Sequence, residues 1–155
     1  MEKIASFSVD HLKLRPGLYV SRVDGTAGKE VTTFDIRLTA PNREPPVDVP
    51  ALHTIEHLGA TYLRNNDPCG RVVYFGPMGC RTGCYLLMFG RLAPEDVIGM
   101  CPLDISVIIH YERTHVLYDP DECGNWQEHN LTEAKYYISR YLRALQTERN
   151  TVYPS

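Results

Sequence analysis

Three side chains in the stretch ALHTIEHLGA, residues 51–60, have the types and spacing to do chemistry: His53, Glu56 and His57. On a helix, positions i and i+4 project from one face about 6 Å apart, so the two imidazoles can reach one divalent ion. Glu56, beside the second histidine, stands where a carboxylate can move protons next to an ion without taking a coordination position. Catalytic centres of the zinc type usually have three protein ligands and an open position, so a third donor is needed. The candidates are the remaining histidines, among them His110 and His115 in VIIHYERTHV, the cysteines, among them Cys69 in NNDPCG, Cys101 and Cys123 in DPDECGNWQEH, and the downstream carboxylate Glu133. Cys123 stands in a polar loop with Gly124 behind it, whereas Cys101 belongs to an apolar helical stretch and suits a small core position. Spacing alone does not choose among them. His-x-x-Glu-His is also the inverzincin signature, in which His53, His57 and Glu133 would hold zinc and Glu56 would activate water for peptide hydrolysis. A second constellation lies in GPMGCRTGC, where Cys80 sits in a glycine-rich turn directly before Arg81. A cation there favours the thiolate and lowers the thiol pKa.

These groups must be positioned by elements that the hydrophobic pattern predicts. GLYVSRVD and EVTTFDIRL read as strands; in the second, Phe34, Ile36 and Leu38 alternate with Thr33, Asp35 and Arg37, which puts Arg37 on the face away from the apolar side chains. The proline-rich APNREPPVDVP is an irregular connection, and a helix starts near Asp48 to Pro50, with aspartate suited to the N-cap and proline to the first turn. Leu52, Ile55, Gly59 and Tyr62 repeat along it at helical spacing, while His53 and His57 share another face. RVVYFG and CYLLMFG are two further strands joined by PMGCRTG, which places Cys80 on a turn. A helical pattern begins at Pro94, with Glu95 and Asp96 in its first turn, and Pro102 interrupts it. In the last helix Ala134, Ile138, Tyr141, Leu142 and Leu145 form one stripe, and Asn130 with Glu133 resembles a capping box. Strands followed by segregated helices predict an α+β fold, an antiparallel sheet packed against helices, in one domain over residues 1–155.

Composition narrows the function classes. Of 155 residues, 43% are hydrophobic and 23% charged, enough apolar material for a core and too little charge for disorder. With 16 basic and 19 acidic residues the net charge is -3, and no basic run tracks a phosphate backbone, so nucleic acid is not an expected partner. The first 17 residues lack the apolar core of a signal peptide, and no run of about 18 apolar residues exists for a membrane span, so a cytoplasmic protein without membrane partners is expected. Five cysteines without a secretion signal suggest thiols and ligands, not a disulfide framework.

Five motifs then occur in order: SFSVDH at 6–11, FDIRLTAPN at 34–42, HTIEHLGATYLRN at 53–65, PMGCRTG at 77–83 and ECGNWQEHNL at 122–131. Together they resemble the successive motifs of the S-ribosylhomocysteine lyase (LuxS) family, along nearly the whole chain. The resemblance implies a homodimer of small α+β subunits with active sites at the interface. It implies one divalent metal per subunit, iron(II) first with zinc or cobalt as substitutes, and no organic cofactor. It assigns His53, His57 and Cys123 as metal ligands, Glu56 and Cys80 as the catalytic acid/base pair, and Ser6, His11 and Arg37 as groups around the substrate. The implied reaction cleaves S-ribosylhomocysteine to homocysteine and 4,5-dihydroxy-2,3-pentanedione, the autoinducer-2 precursor used in quorum sensing and a product of the activated methyl cycle. The chain departs from the pattern at YFGPMGC, where DISPMGC is usual, and at HLGATY, where HLFAG is usual. Tyr74 thereby replaces an acidic residue, Pro102 interrupts a helix that is normally continuous, and Cys84 takes a place often held by an aromatic residue.

Overall fold

The computed structural model describes residues 9–98, 105–110 and 119–154. Ser6, Cys101, Pro102 and His115 lie outside the described residues. Strands β1 (Gly17–Thr26), β2 (Lys29–Arg37), β3 (Val72–Pro77) and β4 (Gly83–Phe89) form an antiparallel sheet in the order β1-β2-β4-β3. Helices α1 (Val49–Asn65), α2 (Pro94–Ile98) and α3 (Leu131–Thr147) and a 3-10 helix (Ile105–His110) complete the described elements. The predicted α+β class with an antiparallel sheet is therefore the observed one.

Alternation along the strands decides what packs where. Register pairs Ile36 with Leu18 and Cys84, and Phe34 with Val20 and Leu86, so these side chains share one face. The helices cover that face: Ala51, Leu52, Ile55, Leu58 and Leu63 of α1 and Ala134, Ile138 and Tyr141 of α3 are buried in the same core. Each such leucine or isoleucine contributes about 1.5–3 kcal/mol on burial, more than the helix propensity of one residue. Tertiary packing, not propensity, thus holds α1 where its other face can carry the histidines.

Both long helices begin as their sequences suggest, by different means. Asp48 occupies the N-cap of α1 with an extended backbone but makes no side-chain cap bond, and Pro50 sits in the first turn. Asn130 caps α3 fully: its Oδ1 accepts the Glu133 N–H at 3.0 Å and its Nδ2 donates to Glu133 Oε2 at 3.2 Å.

Gly59 and Phe75, which stand at two separate departures from the family pattern, turn out to be a single packing. The Phe75 ring lies so close to the α1 backbone that a methyl on Gly59 would sit 2.4 Å from Phe75 Cε1. An aromatic ring that the usual pattern carries on the helix is here supplied by the neighbouring strand, with glycine making room.

The opposite face of the sheet is also buried. Alternation places Arg37 away from the apolar face, as predicted, yet Arg37 is only 4% exposed and Asp35 only 2%. Residues 150–154 and the segment before β1 cover them, with Tyr153 stacked on Tyr19 at 4.8 Å between ring centroids. Arg37 pairs across both neighbouring strands with glycines, Gly17 and Gly83.

Candidate metal centre and thiol cavity

A donor cluster forms where the loop before α3 meets the first turns of α1. Pro50 O accepts the Thr54 hydroxyl at 2.8 Å and the Asn130 N–H at 3.2 Å, and Thr54 Oγ1 accepts the Asn130 N–H at 3.0 Å. This stitching carries the loop across α1. Within the loop Asp119 O accepts the N–H of Cys123 at 2.9 Å, and Asp119 Oδ1 accepts the N–H of Asp121 at 2.9 Å, a tight turn that buries Cys123 to 3% exposure.

His53, His57, Cys123 and His129 offer ligand atoms that all lie within 4.8 Å of one another. Cys123 Sγ is 3.6 Å from His53 Nε2, 3.7 Å from His57 Nε2 and 3.5 Å from His129 Nε2. Sulfur at about 2.3 Å and nitrogen at about 2.1 Å from one tetrahedral ion would be about 3.6 Å apart, so the donor set fits a divalent metal. The tautomers agree. Glu128 O can only accept, so the 2.9 Å contact with His53 Nδ1 puts the proton on Nδ1 and leaves the Nε2 lone pair facing Cys123. Thr54 gives its one hydroxyl proton to Pro50 O, so its 3.2 Å contact with His129 Nδ1 likewise places that proton on Nδ1. Burial first, then His53 and His57, push the His129 pKa down to about 4, so its ring is neutral at pH 7.

The fold therefore brings together the donors that the resemblance assigns and, from the remaining histidines that the sequence left open, adds His129. Its signal was present: it closes ECGNWQEH, six residues after Cys123, but nothing in that spacing predicts a ring stacked 4.1 Å from His53. Glu133 is not among the four; its carboxylate and amide are engaged in the α3 cap, so the peptidase reading lacks its third ligand. Cys69 is an exposed turn thiol, Cys84 is buried in the core, and His110 is exposed at the end of the 3-10 helix. The four described cysteines are all unpaired.

Cys80 lies elsewhere, at the mouth of a cavity of about 480 Å³ on the polar face of the sheet, together with His11, Asp35, Arg37, Thr82 and Tyr153. That volume suits a small ligand. His11 Nδ1–H donates to Val9 O at 2.8 Å, which leaves Nε2 as the ring's acceptor. Arg37 donates to Asp35 Oδ2 and Thr82 Oγ1, and its Nη1 stands 3.8 Å from Cys80 Sγ. Burial opposes the Cys80 thiolate, but Thr82, 3.1 Å from the sulfur, and Arg37 outweigh it and bring the thiol pKa below its ordinary value. The cation that reaches the sulfur is thus Arg37, from a strand 43 positions away, and not the adjacent Arg81 suggested by the sequence. Arg81 instead serves the backbone: at φ 57° its carbonyl accepts the Val47 N–H at 2.8 Å, tying the Cys80 turn to the approach of α1. Burial works against the Arg37 charge too, and Asp35 more than offsets it, holding the guanidinium pKa above its usual value.

None of His53, Glu56, His57 and Cys123 lines this cavity. Glu56 sits half-buried on α1, and after burial its charge is the next influence pushing the Cys84 thiol up. Tyr74 does not line the cavity either; it is 45% exposed on edge strand β3, its hydroxyl lying over Gly76. No helix among the described residues is long and apolar enough to cross a membrane.

Sequence comparison agrees with the geometry. The S-Ribosylhomocysteinase (LuxS) family model matches residues 4–152. The chain is 49% identical to S-ribosylhomocysteine lyase of Borreliella afzelii, over 99% of this chain and all of that protein. It is 46% identical to the enzyme of the same name from Finegoldia magna and 48% to that of Porphyromonas gingivalis, each over 99% of both chains. With a donor cluster and a thiol cavity placed by motifs that run the length of the match, the chain belongs to the S-ribosylhomocysteinase (LuxS) family.

Proposed function

We propose that this chain is a metal-dependent lyase that cleaves S-ribosylhomocysteine to homocysteine and 4,5-dihydroxy-2,3-pentanedione. The observation that carries the reading is the His53–His57–Cys123 donor set in a chain whose full-length relatives bear that enzyme's name. A thioether is a poor leaving group unless a carbanion forms beside it. The carbonyl of the open-chain sugar must therefore travel from C1 through C2 to C3, after which loss of the C4 proton expels the homocysteine sulfur from C5 by β-elimination.

His53, His57 and Cys123 would hold the ion, with His129 beside them; a divalent metal there supplies Lewis-acid polarisation of the sugar carbonyl, worth several kcal/mol of charge stabilisation. Iron(II) is the metal we assign, with zinc or cobalt as substitutes. Cys80, a thiol already biased toward thiolate, takes and returns the carbon-bound protons of the isomerisations. Glu56 carries the protons of enolisation and elimination. Ser6, His11 and Arg37 bind the sugar; His11 and Arg37 line the cavity beside Cys80, which supports their part of the assignment.

The thiol cavity and the donor cluster are separate within one chain, and this favours a homodimer in which the cluster of one subunit faces the cavity of the other. Residues 1–155 act as one such catalytic domain in the cytoplasm. The test is direct: protein loaded with iron(II), incubated with S-ribosylhomocysteine, releases homocysteine in a free-thiol assay. Absence of thiol release from fully metal-loaded protein overturns the reading.

A further inference from the structure

Tyr153 lies one residue beyond the span that the family model matches, yet it touches the most buried charges of the thiol side. Its hydroxyl donates to Asp35 Oδ2 at 2.9 Å, the same oxygen that receives Arg37 Nη2. Asp35 Oδ1 and Arg37 Nε have no hydrogen-bond partner among the described residues, so the carboxylate is fixed through Oδ2 alone. A carboxylate held by one oxygen can rotate unless a second donor sets its plane, and Tyr153 is that donor. The phenol is itself well anchored. Its ring stacks on Tyr19 with only 7° between planes, and the Tyr19 hydroxyl donates to Arg15 O at 2.9 Å. Asn150, three residues earlier, accepts the Leu18 N–H at 3.0 Å and donates to Pro16 O at 3.0 Å. The two segments approach so closely that a methyl on Gly17 would lie 2.4 Å from Asn150 O.

We propose that Tyr153 is a positioning residue for the Cys80 site: through Asp35 it sets where Arg37 stands and how much of its charge reaches the sulfur. The phenol hydrogen bond draws charge from the Asp35 carboxylate, so less of the Arg37 cation is cancelled. Without it, Asp35 neutralises Arg37 more fully and pulls it from the thiol, and both effects disfavour the thiolate. Among the described residues, the ionisable groups lining the cavity around Cys80 are His11, Asp35, Arg37, Glu44, Tyr85 and Tyr153. Of these, Asp35 and Arg37 are the pair that Tyr153 fixes.

The experiment compares Tyr153→Phe with Tyr19→Phe, which loses from the same stack a hydroxyl that donates to Arg15 O and not to Asp35. Alkylation of Cys80 by iodoacetamide is followed peptide by peptide by mass spectrometry from pH 6 to 10. In Tyr153→Phe the profile should move to higher pH, and the rate at pH 7 should fall about three- to tenfold, as half to one pH unit requires. Tyr19→Phe should keep the wild-type profile. An unmoved profile in Tyr153→Phe, or an equal move in Tyr19→Phe, overturns the proposal. The inference rests on the lyase reading only for the use made of the thiolate. Because alkylation needs no substrate, its outcome is distinct from a failure to release homocysteine.

Discussion

The donor cluster and the thiol cavity are built by opposite strategies. Two of the cluster's histidines come from one turn of α1, and a single loop adds Cys123 and His129; the tautomers are set by a backbone carbonyl and one threonine. The cavity has no such local nucleus. Cys80 comes from a turn, Arg37 and Asp35 from the end of the inner strand β2, His11 from the segment before β1 and Tyr153 from 118 positions beyond Asp35. A metal site can be specified by helical geometry because the ion imposes the rest. A thiol tuned by a cation must have that cation held by packing, and packing at this place involves the whole chain.

Substitutions can separate the two regions, and the largest effect should come from the ligands and the thiol themselves. Cys123→Ala should lose metal affinity by more than about 100-fold, beyond what neighbours of ligands typically cost. Cys80→Ala should keep its metal and lose about 10²- to 10⁴-fold in turnover, the range of a positioned acid/base. Metal analysis beside the thiol-release assay reads both, and the reverse pattern would exchange the roles of the two regions.

A smaller effect is expected where the regions join. Gly59 lies two positions after His57, and Phe75 lies on the strand that leads to Cys80, so their contact couples the two sides. Phe75→Ile leaves a cavity and Gly59→Phe overpacks, each at about 1–3 kcal/mol, whereas the double variant restores ring volume on the helix and should be more stable than either. Denaturant unfolding of the three proteins checks this. Additive losses would mean that the two departures from the family pattern are unrelated.

The smallest effect concerns alkali. Burial first, then Asp35, raise Tyr19 to about 12, and burial followed by Asp35 raises Tyr153 well above its ordinary value. Unfolded tyrosines ionise near pH 10, so above that the folded chain retains more protons than the unfolded one. The stability these groups contribute is complete below about pH 10 and is lost as pH rises through about 12. Thermal unfolding between pH 9 and 11 should show a shallower decline in Tyr153→Phe than in wild type. Parallel declines would remove Tyr153 from the buried network.

Much of this was legible in the sequence, for identifiable reasons. Strand β2, α1 and α3 follow from periodicity, β3 and β4 from short apolar runs around a glycine-rich turn, and the histidine pair from the helical repeat of about 3.6 residues per turn. The sequence left His129 among the remaining histidines and could not choose it, since its approach to His53 depends on how a loop of irregular backbone docks onto Pro50 and Thr54. Nor was the cover over Asp35 and Arg37 legible: alternation reports which face a side chain takes, not whether another segment lies on that face. The same limit explains why Arg81, adjacent in sequence, was the expected partner of Cys80, when the cation in reach belongs to β2.

The stitching of the Cys123 loop onto α1 has a consequence for how the protein comes into being. During synthesis His53 and His57 leave the ribosome 70 and 66 residues ahead of Cys123, and until the loop docks they are two imidazoles on a nascent amphipathic helix. Tight capture of an ion must wait until residue 123 has been made. A chain truncated before residue 123 would therefore compete poorly for scarce metal, and a loaded ion marks a subunit made at least as far as its Cys123 loop.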